Sequence, residues 1–170
     1  MRRGLRIGTG LLLSVGLLLN AALAHAHESP QLVIPDLRLV VPLGAFPLGA
    51  ETWEIDPWDT GIGHLEGTAG VTDPGNAVLA GHAEMPDGAA GPFARIVTLR
   101  PGAHIIVRLA DGEQRYVVVK ISRVHPDDLT PVYPALDARL TLITCDVPTY
   151  DPATGEYERR VIVVARRVGG

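Results

Sequence analysis

The chain has 170 residues, 46% of them apolar and 20% charged, which suits one globular domain with a real core and leaves little room for two. The net charge of −4 indicates no basic surface for nucleic acid. One cysteine excludes both a disulfide framework and a multi-cysteine zinc site. Glycine and proline are abundant (19 and 14) and aromatic residues few, which favours short strands joined by turns over a bundle of long helices.

Arg2, Arg3 and Arg6 precede an apolar run over residues 7–24, rich in leucine. A basic n-region before an apolar stretch is an export signal, and Ala24 and Ala26 form the small-x-small pattern that signal peptidase accepts. At about 18 residues the run is also long enough to span a bilayer. Residues 1–26 are therefore expected to be a cleaved signal peptide or a retained membrane anchor. Either fate puts the rest of the chain outside the cytoplasm. Residues 27–36 are expected to be a linker into a domain over residues 37–168.

Short apolar runs then follow, each bounded by turn residues. They cover residues 37–41, ended by Pro42, and residues 77–80, led in by Asp73-Pro74-Gly75. Residues 103–109 and 116–124 flank Asp111-Gly112, a pairing that predicts a hairpin. Residues 140–144 and 161–165 are the last two runs. Residues 92–99 fit one or two helical turns. This pattern predicts an all-β chain, either an antiparallel barrel or a sandwich.

Cys145 ends a β-type run, TLITC, and precedes a polar loop. A lone cysteine in an exported chain suggests a free reactive thiol or intermolecular pairing, and a small buried hydrophobe is an equally simple reading. A thiol nucleophile needs a base or cation beside it, and an acid for the leaving group. His82 also ends a strand-like run, after Gly81, and His64 lies in a glycine-rich turn. Acyl transfer also needs a donor for the developing oxyanion, for which Arg is suited. Arg159 and Arg160 lead into the last run, and strand alternation lets only one of them face such a site.

Taken together, Leu79-Ala80-Gly81-His82, the TLITC segment and the run from Arg160 to Ala165 resemble the sortase family of cysteine transpeptidases. Ile34-Pro35-Asp36-Leu37, Gly61-Ile62-Gly63-His64, Pro74-Gly75-Asn76 and Pro101-Gly102 fit family landmarks in the right order. The resemblance covers about residues 32–168. It implies an eight-stranded antiparallel β-barrel with short helical turns. It also implies that Cys145 is the acyl-thioester nucleophile, His82 the proton donor and acceptor, and Arg160 the stabiliser of oxyanion and substrate. Arg160 is preferred to Arg159 because it precedes Ala165 by five positions, as in the family. Ala80 and Thr144 are taken as substrate-binding residues, and His64 as a landmark outside the triad.

The implied reaction is attack on a peptide bond in an LPxTG-like sorting signal of an exported protein, then transfer of the acyl group to an amine at the cell surface or on another protein. No cofactor or metal is implied. Two alternatives belong to other classes: a sortase-like domain that binds a peptide without cutting it, and a thiol hydrolase that uses water. The departures from the family are Ala83, where many members carry a polar residue, and the short Pro-rich segment 122–139. Asp127, Asp128 and Asp137 there are read as turn formers in preference to a calcium site. The absence of an N-terminal lid insertion suggests a housekeeping or class D/E-like enzyme over a pilus-building one.

Overall fold

The computed structural model describes residues 29–57 and 59–169. The export signal or anchor expected over residues 1–26 lies outside the described residues, as do His25 and His27. Among the described residues, no helix is long and apolar enough to cross a membrane.

Eight strands close into a barrel in the order β1-β2-β3-β4-β7-β10-β6-β5. They are β1 (Gln31–Ile34), β2 (Leu39–Phe46), β3 (Ile62–Leu65), β4 (Asn76–Gly81), β5 (His104–Leu109), β6 (Gly112–Val124), β7 (Arg139–Cys145) and β10 (Arg160–Arg167). Two further two-residue strands, β8 (Tyr150–Asp151) and β9 (Glu156–Tyr157), make a miniature hairpin outside the barrel. Among the described residues, helical structure is confined to four single 3-10 turns. Closure comes from β1, which pairs with both β2 and β5 and so leaves the barrel no free edge.

The all-β barrel expected from the sequence is therefore present, with one refinement. The seams β2–β3 and β4–β7 are parallel and the others antiparallel. Parallel neighbours need long crossovers, and β4 reaches β7 only after the whole β5–β6 hairpin has been laid down. That hairpin forms as read, but its turn is Ala110-Asp111, with Leu109 opposite Gly112. Gly112, at φ 151°, supplies the left-handed backbone that lets β6 start immediately.

The linker expected over residues 27–36 is corrected for its second half. Gln31–Ile34 is β1, and Leu32 and Ile34 are fully buried. Nor does Pro42 end β2. It stands opposite Gln31 at the last β1 pair, and the strand continues from Leu43 against β3. Proline, which lacks an N–H, falls where β2 changes partner.

The barrel interior packs Leu32, Ile34, Ile62, Leu79, Ile105, Val107, Leu140, Leu142, Val161 and Val163. Phe93, Ile96 and Leu99 are buried at spacings of three, the period of a 3-10 turn, and the turn Ile96–Thr98 plugs the barrel with Ile96. A second apolar cluster lies on the outer face, built from Phe46, Leu65, Val78 and Ala80 with Trp53, Ile55, Val132 and Ile143 against it. It covers the parallel β4–β7 seam, so β4 is buried on both faces. That is why its sequence reads as a continuous apolar run and does not alternate. Gly63 makes this possible: a Cβ there would lie 2.4 Å from the Phe46 ring.

Candidate active site

Strand register assembles the site. Along the parallel β4–β7 seam Ala80 stands opposite Ile143. One step further, the Thr144 hydroxyl donates to the Gly81 carbonyl at 2.7 Å, a separation of 63 positions. The next step is His82 and Cys145, at the same 63-residue separation. On the other side of β7, the antiparallel register pairs Cys145 with Arg160. The ends of β7 and β10 thus set Cys145 opposite Arg160, and His82 follows immediately after the end of β4, the strand that Thr144 ties to β7.

Alternation then selects the face. Leu79, Leu142 and Val161 point into the barrel core, whereas Val78, Ala80 and Ile143 belong to the outer face. Two residues on from Ala80 and Ile143 come His82 and Cys145, and Arg160 shares its parity with outward-facing Ile162. Arg159 has the opposite parity. Its N–H donates to the Thr149 hydroxyl and its carbonyl accepts from the Asp146 N–H.

Cys145 is half-buried and free. Burial pushes its thiol above the ordinary value, and the Arg160 guanidinium pulls in the other direction. The protonated thiol is favoured at rest, so for this cysteine to act as a nucleophile a base would have to take its proton. The Arg160 guanidinium donates to the Tyr157 carbonyl at 3.0 Å, which holds it beside the cysteine. The His82 Nε2–H donates to the Asp56 carbonyl at 2.9 Å. The Tyr157 phenol is raised by partial burial first, then by the charges of Glu84 and Cys145. Sequence reading passed over Glu84 and Tyr157, because neither stands in a recognisable motif. It also passed over Asp146, a buried carboxylate immediately after Cys145 that accepts from Arg123 Nε at 2.7 Å.

An apolar cavity of about 280 Å³ runs along the outer face to Arg160. Its floor is Leu65, Ala80, Ile143 and Ile162, one wall is Trp53 and Ile55, and the other is Leu129, Pro131 and Val132 of the β6–β7 loop. This shape suits an extended peptide with apolar side chains that reaches the Arg160 guanidinium, opposite Cys145 in the β7–β10 register. A larger, shallow depression of about 710 Å³ lies by Asp137 and Arg166, at the opposite ends of β7 and β10. Cys145 lines neither of these two, but a separate cavity of about 80 Å³ together with Ala83, Phe93 and Val161.

Of the two residues expected to bind substrate, Ala80 lines the apolar cavity that reaches Arg160. Thr144 does not. It has inward parity, is 5% exposed, and its hydroxyl is engaged by Gly81. Its place is to pin the seam that carries His82 and Cys145. His64 stays outside the site, with Nε2 2.8 Å from the Ala69 carbonyl in the β3–β4 turn. Ala83 is buried, which leaves no room for the polar residue that many family members carry there. Asp128 accepts from the N–H and hydroxyl of Thr130, and these bonds hold its carboxyl below the usual range. Asp127 faces His125 at 3.4 Å, and Asp137 pairs with Arg139 and Arg166. Among the described residues, no group of three or more His, Cys, Asp or Glu could hold a metal ion.

The structure thus joins a closed eight-stranded barrel to a half-buried free cysteine at the end of β7, opposite Arg160 on β10. The Sortase domain family model matches residues 32–168, and the chain belongs to the sortase family. Solved structures agree. Sortase C1 from Streptococcus agalactiae matches with a TM-score of 0.66 at 27% identity, over 88% of this chain and 72% of that one. Sortase C-1 from Actinomyces oris matches with a TM-score of 0.66 at 25% identity, over 83% and 74%. A lid mutant of sortase A from Corynebacterium diphtheriae shares the fold, with a TM-score of 0.64 at 23% identity over 84% and 70%. Sortases of types C and A are matched about equally, so the fold does not assign a subclass. No curated protein matches the chain.

Proposed function

We propose that this protein is an extracytoplasmic cysteine transpeptidase that cleaves an LPxTG-like sorting signal and passes the acyl group to an amine. What supports the reading is Cys145 opposite Arg160 in the β7–β10 register, with His82 just past the β4 end that Thr144 ties to β7, beside an apolar cavity that reaches Arg160. In the first step His82 takes the Cys145 proton as sulfur attacks the scissile carbonyl. Arg160 donates to the developing oxyanion. Collapse of the tetrahedral species breaks the C–N bond, and His82 returns the proton to the departing amine. The acyl group is left as a thioester on Cys145. In the second step an amine attacks the thioester, His82 takes its proton, and the thiolate leaves as the thiol. No cofactor is required by this chemistry. Ala80 and Ile143 form the floor beneath the signal, and the basic N-terminus ahead of the apolar run would keep the domain outside the cytoplasm, cleaved or anchored.

The test is intact-protein mass spectrometry of residues 27–170 after incubation with a pool of LPxTG-like peptides, with and without an added amine. We expect a thioester adduct on the wild type, none on Cys145→Ala, and incorporation of the amine into the product. Adduct formation with release only to water would make the protein a thiol hydrolase. Peptide affinity equal in wild type and Cys145→Ala, with no adduct on any sample, would make it a binding domain.

A further inference from the structure

His82 is held by a group that no side-chain motif could reveal. Its Nε2–H donates to the main-chain carbonyl of Asp56, in the β2–β3 connection. The same carbonyl accepts the Asp59 N–H at 3.0 Å, closing a turn that Pro57 opens. Proline at this position pre-sets φ for the turn and restricts the residue before it to extended backbone. The direction of the Asp56 carbonyl is thus fixed from both sides.

The segment leading to Asp56 is itself tied down. The Leu48 N–H donates to Glu66 Oε2 and the Trp53 indole N–H to the Glu66 carbonyl, each at 2.9 Å. Within the segment, the Glu54 N–H donates to the Pro47 carbonyl and the Gly49 N–H to the Thr52 carbonyl. This small closed loop places Trp53 and Ile55 on the cavity wall and, within three residues, the Asp56 carbonyl on His82.

We infer that the Asp56-Pro57 turn is a positioning element that locks His82 as its Nε2–H tautomer and leaves Nδ1 as the nitrogen that exchanges the proton with Cys145 and the leaving amine. A carbonyl oxygen can only accept, so Nε2 must carry hydrogen in the neutral ring. When the ring is protonated, the same bond stabilises its charge and leaves Nδ1–H as the acid. The loop also links the two halves of the site, because the wall that contacts substrate and the turn that orients the base are one tethered unit. This inference rests on the acid/base reading of His82.

Pro57 is exposed and does not line the cavity, so Pro57→Gly is not expected to disturb the barrel. The experiment is ring nitrogen NMR of the 15N-histidine-labelled protein, with His82 assigned by difference from His82→Gln. Peptide transfer kinetics are measured in parallel. The wild type should show neutral His82 with Nε2 protonated and Nδ1 free. Pro57→Gly should give a mixture of tautomers and a kcat lowered about tenfold, the size of one hydrogen bond to a charged group, with KM little changed. An Nδ1–H tautomer in the wild type would overturn the inference. So would unchanged ring signals and kcat in Pro57→Gly, or a faster variant, which would mean that the turn restrains His82 in an idle position. If the wild type forms no adduct with any peptide, it is the acid/base reading that fails, and the ring signals still decide the tautomer.

Discussion

Asn76→Ala separates the frame of the substrate cavity from its chemistry. Asn76 is 4% exposed at the start of β4. Its Nδ2 donates to the Pro131 carbonyl at 2.8 Å and the Tyr133 carbonyl at 3.0 Å, and its Oδ1 accepts from the Thr141 hydroxyl at 2.7 Å. One side chain therefore bolts the β6–β7 loop, and with it the Pro131 and Val132 wall of the cavity, onto the β4–β7 seam. Truncation loses three hydrogen bonds at about 1 kcal/mol each. The loop carbonyls can turn to water, but Thr141, 1% exposed, keeps a stranded hydroxyl. We expect a net loss of about 3 kcal/mol, or roughly 10 °C in Tm for a domain of this size. Thermal and urea unfolding measure it. In peptide transfer KM should rise several-fold while kcat changes little, because the wall loosens and the triad does not. Adding Thr141→Val to Asn76→Ala removes the stranded hydroxyl and should recover about 1 kcal/mol of stability without restoring KM. A single variant with Tm within about 2 °C of wild type and an unchanged KM would refute the reasoning.

Three further outcomes follow from the site. Arg160→Met removes the charge that opposes burial at Cys145. The thiol should then ionise at still higher pH, and the inflection in the rate of iodoacetamide alkylation against pH should move upward, with transfer activity lost. Thr144→Val keeps the shape but loses the bond to the Gly81 carbonyl. It should cost about 1 kcal/mol in urea unfolding and lower kcat with KM unchanged, whereas a substrate-binding threonine would move KM. Gly91→Ala places a Cβ 2.3 Å from the His82 carbonyl oxygen. Backbone must shift to admit it, so differential scanning calorimetry should show a lower Tm, and kcat should fall with it.

What the sequence disclosed and what it hid follow a physical line. The six runs read as strands are those with four or more consecutive apolar or alternating residues, and all six became barrel strands. β1 was hidden by its length and by Pro30 and Pro35 on either side, which read as punctuation. β3 contains Gly63, a residue chosen for what it does not contact, and glycine in a short strand looks like a turn. The bond from the Thr144 hydroxyl to the Gly81 carbonyl was equally hidden, because it joins residues 63 positions apart that only the β4–β7 seam brings together. The Asp56 carbonyl left no trace at all, since every residue carries a carbonyl and only the fold aims it.

The separation of His82 and Cys145 is legible for a different reason. The residues between them form the β5–β6 hairpin and the β6–β7 loop, which close the barrel from its other side and whose lengths do not set the seam. The seam is set by what lies along it. Asn76 bonds Thr141 on the outer face, Leu140 and Leu142 fill the interior, and Thr144 reaches Gly81 at the end. A slip of β7 by one residue would turn every one of these side chains over. Thr141 and Ile143 would enter the barrel core, two leucines would face the cavity wall, and the Cys145 thiol would point inward, away from Arg160 and the peptide. The alternation along TLITC is thus a register lock for Cys145. Shortening the β6–β7 loop should change which peptide is accepted while the cysteine stays in place.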